Sequence, residues 1–591
     1  MWKEPPKPCC RRSVDVTRLA LTPPPAGHED EAVLAAGTWL DRASFPKAWK
    51  RLANPWDDPR SFDRCLAAQD QLPELLSPLL NEIHSVDRNE RYWRMLLGPF
   101  FLGLVPLVAN LEMQIEAASA IGEPLLSWAD ASSSRAAPRD TAEFQAWLPS
   151  DWFNARIAAS ILRLRGIPFD PVEYPAPDAP RRRQFWKTVA LLFLEAGARM
   201  RRTALPPDAA YDDLYLDAPG LCALAKDSGI LLHPAALKGV RTAYEPDSND
   251  PRRLRLTEPV SRDPLVSRIV SLLPEVFPAV YLEGFAHLRD EVRKRWPRPP
   301  RILLTSVGWN VNEAFKMLAA ESLASGGKLW ISQHGGGYGM QETIENERHE
   351  RTVADLYLTW GWRDSVPRGK PGGARVVAMP NPRLSSLPEP ADVPGNEWIL
   401  TTCSLPRYPY RWYAANAPIS HRFHDYFAAQ KKFVETLDAS ALATLRVRLH
   451  ASEFGWRNGA RLQDRFPSIR FDESRVPWRE RMRFARLIAV DHPQTTLLEA
   501  LAAGIPTVAF WPPEDWAMRP DAAAYFDALR TAGILFDDPA AAAARVLEIL
   551  SFPSRWTESA AVSNARRRFC DRFARRSPDW EHDWRSLFSS A

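Results

Sequence analysis

The chain predicts an α/β fold of two doubly wound parallel halves, and two observations point there. From residue 300 onward short apolar runs alternate with amphipathic helical stretches, and "RLIAVDHPQTTLLEALAAGIPTVAF" (486–510) reads as a complete strand–helix–strand unit. Strands buried on both faces appear as continuous apolar runs, and parallel pairing requires a helical crossover between them. With 591 residues the chain also exceeds what a single core supports, so more than one domain is expected.

The first series of predicted strands is "RILLTS" (301–306), "KLWISQ" (328–333), "ADLYLTWG" (354–361) and "ARVVAMPN" (374–381), with a helix through "NEAFKMLAAESLAS" after the first. A proline-rich stretch, "PRLSSLPEPADVPGN" (382–396), reads as a linker. The second series is "EWILTTC", "LRVRLH" (445–450), "SIRFDES", "RLIAVDHP" (486–493), "TVAFWP" (507–512) and "GILFDD" (533–538). The expected division is a disordered lead-in over 1–30 and a large, mainly helical N-terminal region over 31–300 that contributes to the first domain. A Rossmann-like half over 301–385, a linker over 386–396, a second Rossmann-like half over 397–560 and a basic C-terminal helix over 561–591 complete it. Amphipathic segments such as "DQLPELLSPLLNEIH" and "QFWKTVALLFLEAGARM" (184–200) carry the helical reading of the N-terminal region.

Composition narrows the class. The chain is 45% hydrophobic and 25% charged, with a formal net charge of +4, and acids and bases are interspersed, so no nucleic-acid partner is called for. Six scattered cysteines without a C-x-x-C pair indicate a reducing compartment and no structural zinc. The N-terminus lacks the apolar core of a signal peptide. The longest apolar run, "MLLGPFFLGLVPLVA" (95–109), is shorter than the ~20 residues of a bilayer span and reads as buried core. The expected location is cytoplasmic, with any membrane contact peripheral and at the inner face.

Ligands of doubly wound sheets bind beyond the carboxyl ends of the strands. Two such ends carry chemistry. In "DHPQTTLLEALAAGIP" a strand ends at Asp491-His492 and a helix opens at Gln494-Thr495-Thr496, with Glu499 one turn further on. Free amides, hydroxyls and the helix dipole at such a start suit a phosphate, and Glu499 would reach the hydroxyls of a ribose. The plainer reading is that Thr495 caps the helix and Glu499 completes the cap. In "WISQHGGGYG" (330–339) Gln333 and His334 follow a strand directly, and three glycines succeed them. A neutral imidazole there suits a general base, and Gly335, Gly336 and Gly337 would let a ligand approach closely. The plainer reading is a turn.

Arg448 and His450, at the end of "LRVRLH", would neutralise donor phosphate, or form a salt-bridged strand end. "ENERHERTVAD" lacks metalloprotease spacing and reads as a charged helix face. Tyr92, Trp93, Asp57 and Asp58 read as core anchors and caps.

Taken together, "NPWDD", "LLNEIHSVDRNERYWRMLLGPF", "LTSVGWNVNEAFKMLAAE", "ISQHGGGYG", "ERHERTVADLYLTWGW" and "DHPQTTLLEALAAGIPTV" resemble a bacterial family of transferases encoded in surface-polysaccharide loci, over about 35–545. The chain is more distantly similar to capsule and teichoic-acid polymer transferases, including CDP-glycerol glycerophosphotransferases. That resemblance implies a GT-B fold, with His334-Gly335 matching a base-bearing His-Gly motif. Thr495-Thr496 match the hydroxyl-rich, phosphate-binding helix start, and His450 resembles a second phosphate-side histidine. The triple glycine and the region before residue 300 have no counterpart there.

The expected function is therefore transfer of a sugar or related group from a nucleotide-activated donor to a glycan or lipid-linked glycan acceptor in surface-polysaccharide synthesis. Gln333 and His334 would be catalytic, and Arg448, His450, His492, Gln494, Thr495, Thr496 and Glu499 would hold the donor. No metal and no cofactor is expected, because helix dipoles and basic side chains can stabilise the leaving phosphate. A sugar-nucleotide epimerase or hydrolase of the same fold, and a non-catalytic scaffold of polysaccharide assembly, are the alternatives.

Overall fold

Three parallel sheets organise the molecule. The computed structural model describes residues 17–589 apart from 26–27, 29–32, 36–49, 131–136, 178–208, 215–231, 236, 364–371, 393, 411–421 and 474–475. The helix expected over 184–200 and the first 16 residues of the lead-in lie outside the described residues.

The first sheet contains β1 (Thr17–Ala20), β2 (Val33–Ala35), β3 (Lys50–Arg51), β4 (Leu125–Asp130) and β5 (Phe169–Val172), ordered β3-β2-β1-β4-β5. The second contains β6 (Ala209–Asp212), β7 (Leu232–Pro234), β8 (Ile302–Thr305), β9 (Lys328–Ser332), β10 (Leu356–Thr359) and β11 (Arg375–Ala378), ordered β11-β10-β9-β8-β6-β7. The third contains β12 (Trp398–Thr401), β13 (Leu445–Arg448), β14 (Ile488–Val490), β15 (Thr507–Phe510) and β16 (Leu535–Phe536), ordered β13-β12-β14-β15-β16. Every pairing between these strands is parallel.

The two C-terminal sheets share one topology. In each, the chain steps outward once, returns past its first strand and winds the other way, which creates a switch point between β6 and β8 and another between β12 and β14. Strand-end loops of both sheets line one cleft, so the second and third sheets form a GT-B-like pair.

Three features differ from the sequence reading. The region before residue 300 is rich in helices and gives β6 and β7 to the second sheet, but it also carries a parallel sheet of its own that the sequence reading did not include. The lead-in contains β1, the middle strand of the first sheet. Finally, "SIRFDES" contributes a single bridge, Val447 to Phe471, in place of a strand. Segments such as "TRLA", "AAYD" and "LHP" are too short and too poor in β-branched residues to announce strands, and pairing with longer neighbours imposes the extended backbone.

The long helix Glu90–Ser119 fills the centre of the N-terminal region. It begins at Asn89, whose side chain accepts from Tyr92 N, and it tolerates Pro99 and Pro106. It is long and apolar enough to cross a membrane, yet 94% of its most apolar window is buried against the rest of the protein. Tyr92 donates to Glu321 Oε1 at 2.9 Å and Trp93 Nε1 to Asn81 Oδ1 at 2.9 Å, so both aromatics act as core anchors.

The C-terminal segment comprises two helices. Ala560–Phe573 packs on Thr495–Ala503 and Pro520–Thr531 of the second half. Trp580–Ser589 then crosses to the first half, where Trp580, Trp584, Leu587 and Phe588 cover Ile302, Leu304, Trp330 and Leu356. Trp584 Nε1 donates to Pro380 O at 3.0 Å.

The helix Glu345–Val353 overturns the expectation of a charged, solvated face, because Glu345, Glu347, Arg348, His349, Glu350 and Arg351 are all buried. It is a crossover helix wedged between the second sheet and Glu90–Ser119. His349 packs against the bare backbone of Gly98, where a Cβ would sit 2.0 Å from the ring, and Trp309 packs at 5.0 Å. Burial drives the pKa of His349 down to about 3, helped by Arg94, Lys316 and Arg348. His84, stacked on Phe285 at 4.1 Å, is held at about 4, chiefly by burial.

Both folded values lie below that of an unfolded histidine, so unfolding takes up protons. The stabilisation is complete above pH 6.5 and is lost as pH falls toward 4 and then 3. Stability is expected to fall between pH 6.5 and 5 by roughly 1.4 kcal/mol per pH unit for each histidine. Urea unfolding at several pH values reads this slope. His349→Gln should make it shallower, and an unchanged slope would remove His349 from the account.

Candidate active site

A cavity of about 350 Å³ opens between the strand ends of the two C-terminal sheets. The first half lines it with His334, Gly335, Gly336, Tyr338, Gln341, Ile344, Glu345 and Asn346. The second half supplies Cys403 and Ser404 after β12, His450 after β13, and His492, Gln494, Thr495 and Thr496 after β14. Both sides are therefore built by loops following strands, and the second side sits at the β12/β14 switch point.

On the first wall His334 is about one-sixth exposed, at 17%, and is held from behind. Its Nδ1 lies 3.2 Å from Glu350 Oε1, and the Tyr338 hydroxyl lies 3.1 Å from Nε2. Glu350 is fully buried and also accepts from the Tyr357 hydroxyl at 2.8 Å. Burial pushes the Glu350 carboxyl up, while His334 and Tyr357 pull it back. An imidazole with a carboxylate behind it is fixed in orientation and stabilised when it takes up a proton, the logic of a base with an orienting acid.

On the second wall His492 Nδ1 lies 2.8 Å from Asp491 Oδ1. Asp491 is itself saturated: Cys403 N donates to it at 3.1 Å, the Tyr426 hydroxyl at 2.8 Å and Gln430 Nε2 at 2.7 Å. Asp491 thus works as an acceptor that orients His492. His450 Nδ1 lies 3.0 Å from both the amide nitrogen and the carbonyl oxygen of Ser452, which orients the ring. The helix Thr495–Ala503 starts at Gln494 with no side-chain cap. Its open amides and positive dipole end face the cavity.

Two of the three glycines have tasks beyond the close ligand approach expected of them. Gly336 N donates to Thr495 Oγ1 at 2.8 Å, and a Cβ on Gly336 would lie 2.3 Å from Gln494 C and 2.4 Å from Thr495 N. Gly336 is bare so that the first half can seat on the helix start of the second, and it uses the Thr495 hydroxyl in doing so. Gly337 has φ +89° and lies outside the cavity lining, so it serves the turn.

Three other expected site residues also sit outside the lining. The Gln333 amide is spent within the first half: Oε1 accepts from Trp360 N at 3.0 Å and Trp362 Nε1 at 2.9 Å, and Nε2 donates to Gly335 O at 2.8 Å. Arg448 pairs with Asp472 at 2.7 Å and lies over the Trp478 ring, as a strand-end ion pair does. Glu499 is 2% exposed and pairs with Arg383 of the linker at 2.8 Å, so it holds the hinge instead of reaching a ribose. His334, Gly335, Gly336, His450, His492, Gln494, Thr495 and Thr496 are the expected residues that the fold brings together.

Sequence reasoning missed Tyr338, Glu350 and Gln341. Gln341 is fully buried, lines the cavity, and neither atom of its amide has a hydrogen-bond partner among the described residues. Its backbone is tied to the second half, since Arg519 Nε donates to Gln341 O at 2.7 Å and Gln341 bridges to Met518. The available signal was a charge-dense crossover helix, which in a wound sheet cannot be solvated on all sides. Among the described residues no group of three or more His, Cys, Asp or Glu is arranged to hold a metal ion.

Two wound α/β sheets closing on a histidine-bearing cavity define a GT-B-like enzyme fold. The chain belongs to the LIC12162 family of transferases, whose sequence profile matches residues 17–588. Among solved structures it is similar to Acinetobacter baumannii MurG, at 12% identity over 68% of this chain and 96% of that one, with a TM-score of 0.31. It is similar to the wall teichoic acid polymerase TagF, at 10% identity over 68% and 97%, with a TM-score of 0.32. WaaG, a glycosyltransferase involved in lipopolysaccharide biosynthesis, gives 11% identity over 65% and 100%, with a TM-score of 0.31. No curated protein matches the chain in sequence.

Proposed function

We propose that this transferase moves a sugar or related group from a nucleotide-activated donor to a hydroxyl of a surface-polysaccharide acceptor. The observation that carries the reading is the pairing of two unlike walls in one cavity of about 350 Å³. One wall offers a histidine backed by a buried carboxylate; the other offers an uncapped helix start with Thr496, His492 and His450. The first suits an acceptor hydroxyl, and the second suits donor phosphate.

In the transfer the acceptor oxygen forms the new bond to the donor carbon while its proton passes to the His334 ring. The donor carbon–oxygen bond breaks and its electron pair leaves with the nucleotide phosphate. Negative charge then grows beside the helix start, where the dipole and the oriented His492 favour it. Glu350 stabilises the imidazolium that results. The Gln341 amide, buried with no partner among the described residues, supplies one donor and one acceptor to the transferred group.

A thermal-shift panel of CMP, CDP, UDP, GDP and dTDP tests the donor side, because a ligand that binds only the folded state raises the unfolding temperature. One nucleotide should stabilise the protein. His492→Ala should weaken that nucleotide by roughly tenfold or more, as loss of a hydrogen bond to a charged group does. A flat panel, or affinity unmoved in the variant, would sink the phosphate site.

A further inference from the structure

A second chamber of about 220 Å³ adjoins the cleft and shares Glu345 and Asn346 with it. It is walled on one side by the N-terminal region, through Leu102 of the long helix and Gln145, and on another by Tyr410 and Phe454 of the second half. Asn310, just beyond β8, completes it and places it at the β6/β8 switch point of the first half, the position where an open α/β sheet offers a binding crevice. Each of the two wound sheets thus has a cavity at its own switch point, and the two cavities touch.

We infer that this second chamber is the acceptor subsite and that it takes a neutral saccharide; the inference rests on the proposed donor and base assignment. Its place follows from the shared wall. Asn346 belongs to the same helix as Glu350, so a ligand in the chamber enters the cleft on the side of His334.

The ligand class follows from the lining. Gln145 Nε2 donates to Asn310 Oδ1 at 2.7 Å, and this is the one hydrogen bond either side chain makes among the described residues. The pair therefore keeps an amide N–H on Asn310 and a carbonyl oxygen on Gln145 side by side, a donor and an acceptor spaced for vicinal hydroxyls. Tyr410 and Phe454 add aromatic surface to the lining, which suits the C–H face of a pyranose. No lysine or arginine lines the chamber among the described residues, and Glu345 is its single ionisable carboxylate. Among the described lining residues a phosphorylated or carboxylated ligand would meet no counter-charge and one repelling group, whereas neutral hydroxyls find acceptors and donors. This gives the N-terminal region a purpose beyond packing: it closes the chamber that selects the acceptor.

Saturation-transfer NMR on the full chain tests the inference with methyl glycosides of glucose, galactose, mannose and N-acetylglucosamine, alongside methyl glucuronide and glycerol 3-phosphate. At least one neutral glycoside should receive saturation. Leu102→Trp, which fills the chamber, should reduce that signal at least tenfold while the nucleotide-induced thermal shift is unchanged. Gln145→Leu, a smaller change for the case in which the tryptophan variant does not fold, should weaken the same glycoside. Silence from every neutral glycoside, or preference for an anionic probe, overturns the ligand class. A glycoside signal untouched by either variant overturns the location. A flat nucleotide panel in the unmodified protein would instead strike the donor reading, and the glycoside arms still report on the chamber by themselves.

Discussion

Replacing His334 by alanine should lower turnover by roughly 10²–10⁴-fold, the usual contribution of a positioned general base, while nucleotide affinity stays unchanged. The split is expected because His334 belongs to the first half and the helix start Thr495–Ala503 to the second. Glu350→Gln should reproduce part of the loss, since it removes the carboxylate that lies 3.2 Å from the ring without emptying its place. If the two groups act as one unit, the double variant should be little worse than His334→Ala alone. Turnover measured with saturating donor, together with a thermal unfolding control, reads all three. Near-normal turnover of His334→Ala would end the base assignment.

The second large effect concerns the closure of the cleft. Arg519, 1% exposed, reaches from the second half to Glu347, 0% exposed, with contacts of 2.7 and 3.2 Å, and its Nε donates to Gln341 O. The Glu347 carboxylate also accepts from Arg351 Nη1 at 3.1 Å and from Gly339 N at 3.0 Å. Arg519→Met deletes one guanidinium and leaves a buried carboxylate with part of its compensation. The expected loss is about 3–5 kcal/mol, as for other broken buried pairs, read from urea unfolding. A second readout separates this from a general packing defect: activity should fall further than stability alone requires, because Gln341 and Gly336 are positioned by the same seam. A variant within about 1 kcal/mol of the parent, the range of exposed pairs, would show that the seam is held elsewhere.

Much of the wound core could be read directly. The apolar runs of β8, β9, β10, β12, β14 and β15 are continuous because both faces of each strand are covered by helices, so composition alone reveals them. Strands β1, β2, β3, β6 and β7 could not be read this way. They are two to four residues long, and all but β2 carry arginine, aspartate, histidine or proline, so their conformation comes from partners far away in sequence. The same division runs through the site. His334 and His492 follow within two residues of a strand and Thr496 opens the next helix, and a strand end points where the topology sends it. Arg448, at the end of β13, and Glu499, one turn into the helix after β14, lie near the same ends, yet the counter-ions Asp472 and Arg383 withdraw them into structural pairs.

The sequence by itself determined that the chain from residue 300 onward supplies strands to two wound sheets, and which strand ends carry a histidine or a helix start, because hydrophobic periodicity and local turn chemistry are properties of neighbouring residues. Tertiary structure alone decided which of those groups meet a ligand. The packing of a crossover helix buries Glu350 behind His334 and Glu347 beneath Arg519, and the seat of Gly336 on Thr495 fixes how the halves close. Such pairings depend on distances between segments remote in sequence, and burial then sets whether a charge is a ligand-binding group or part of the frame.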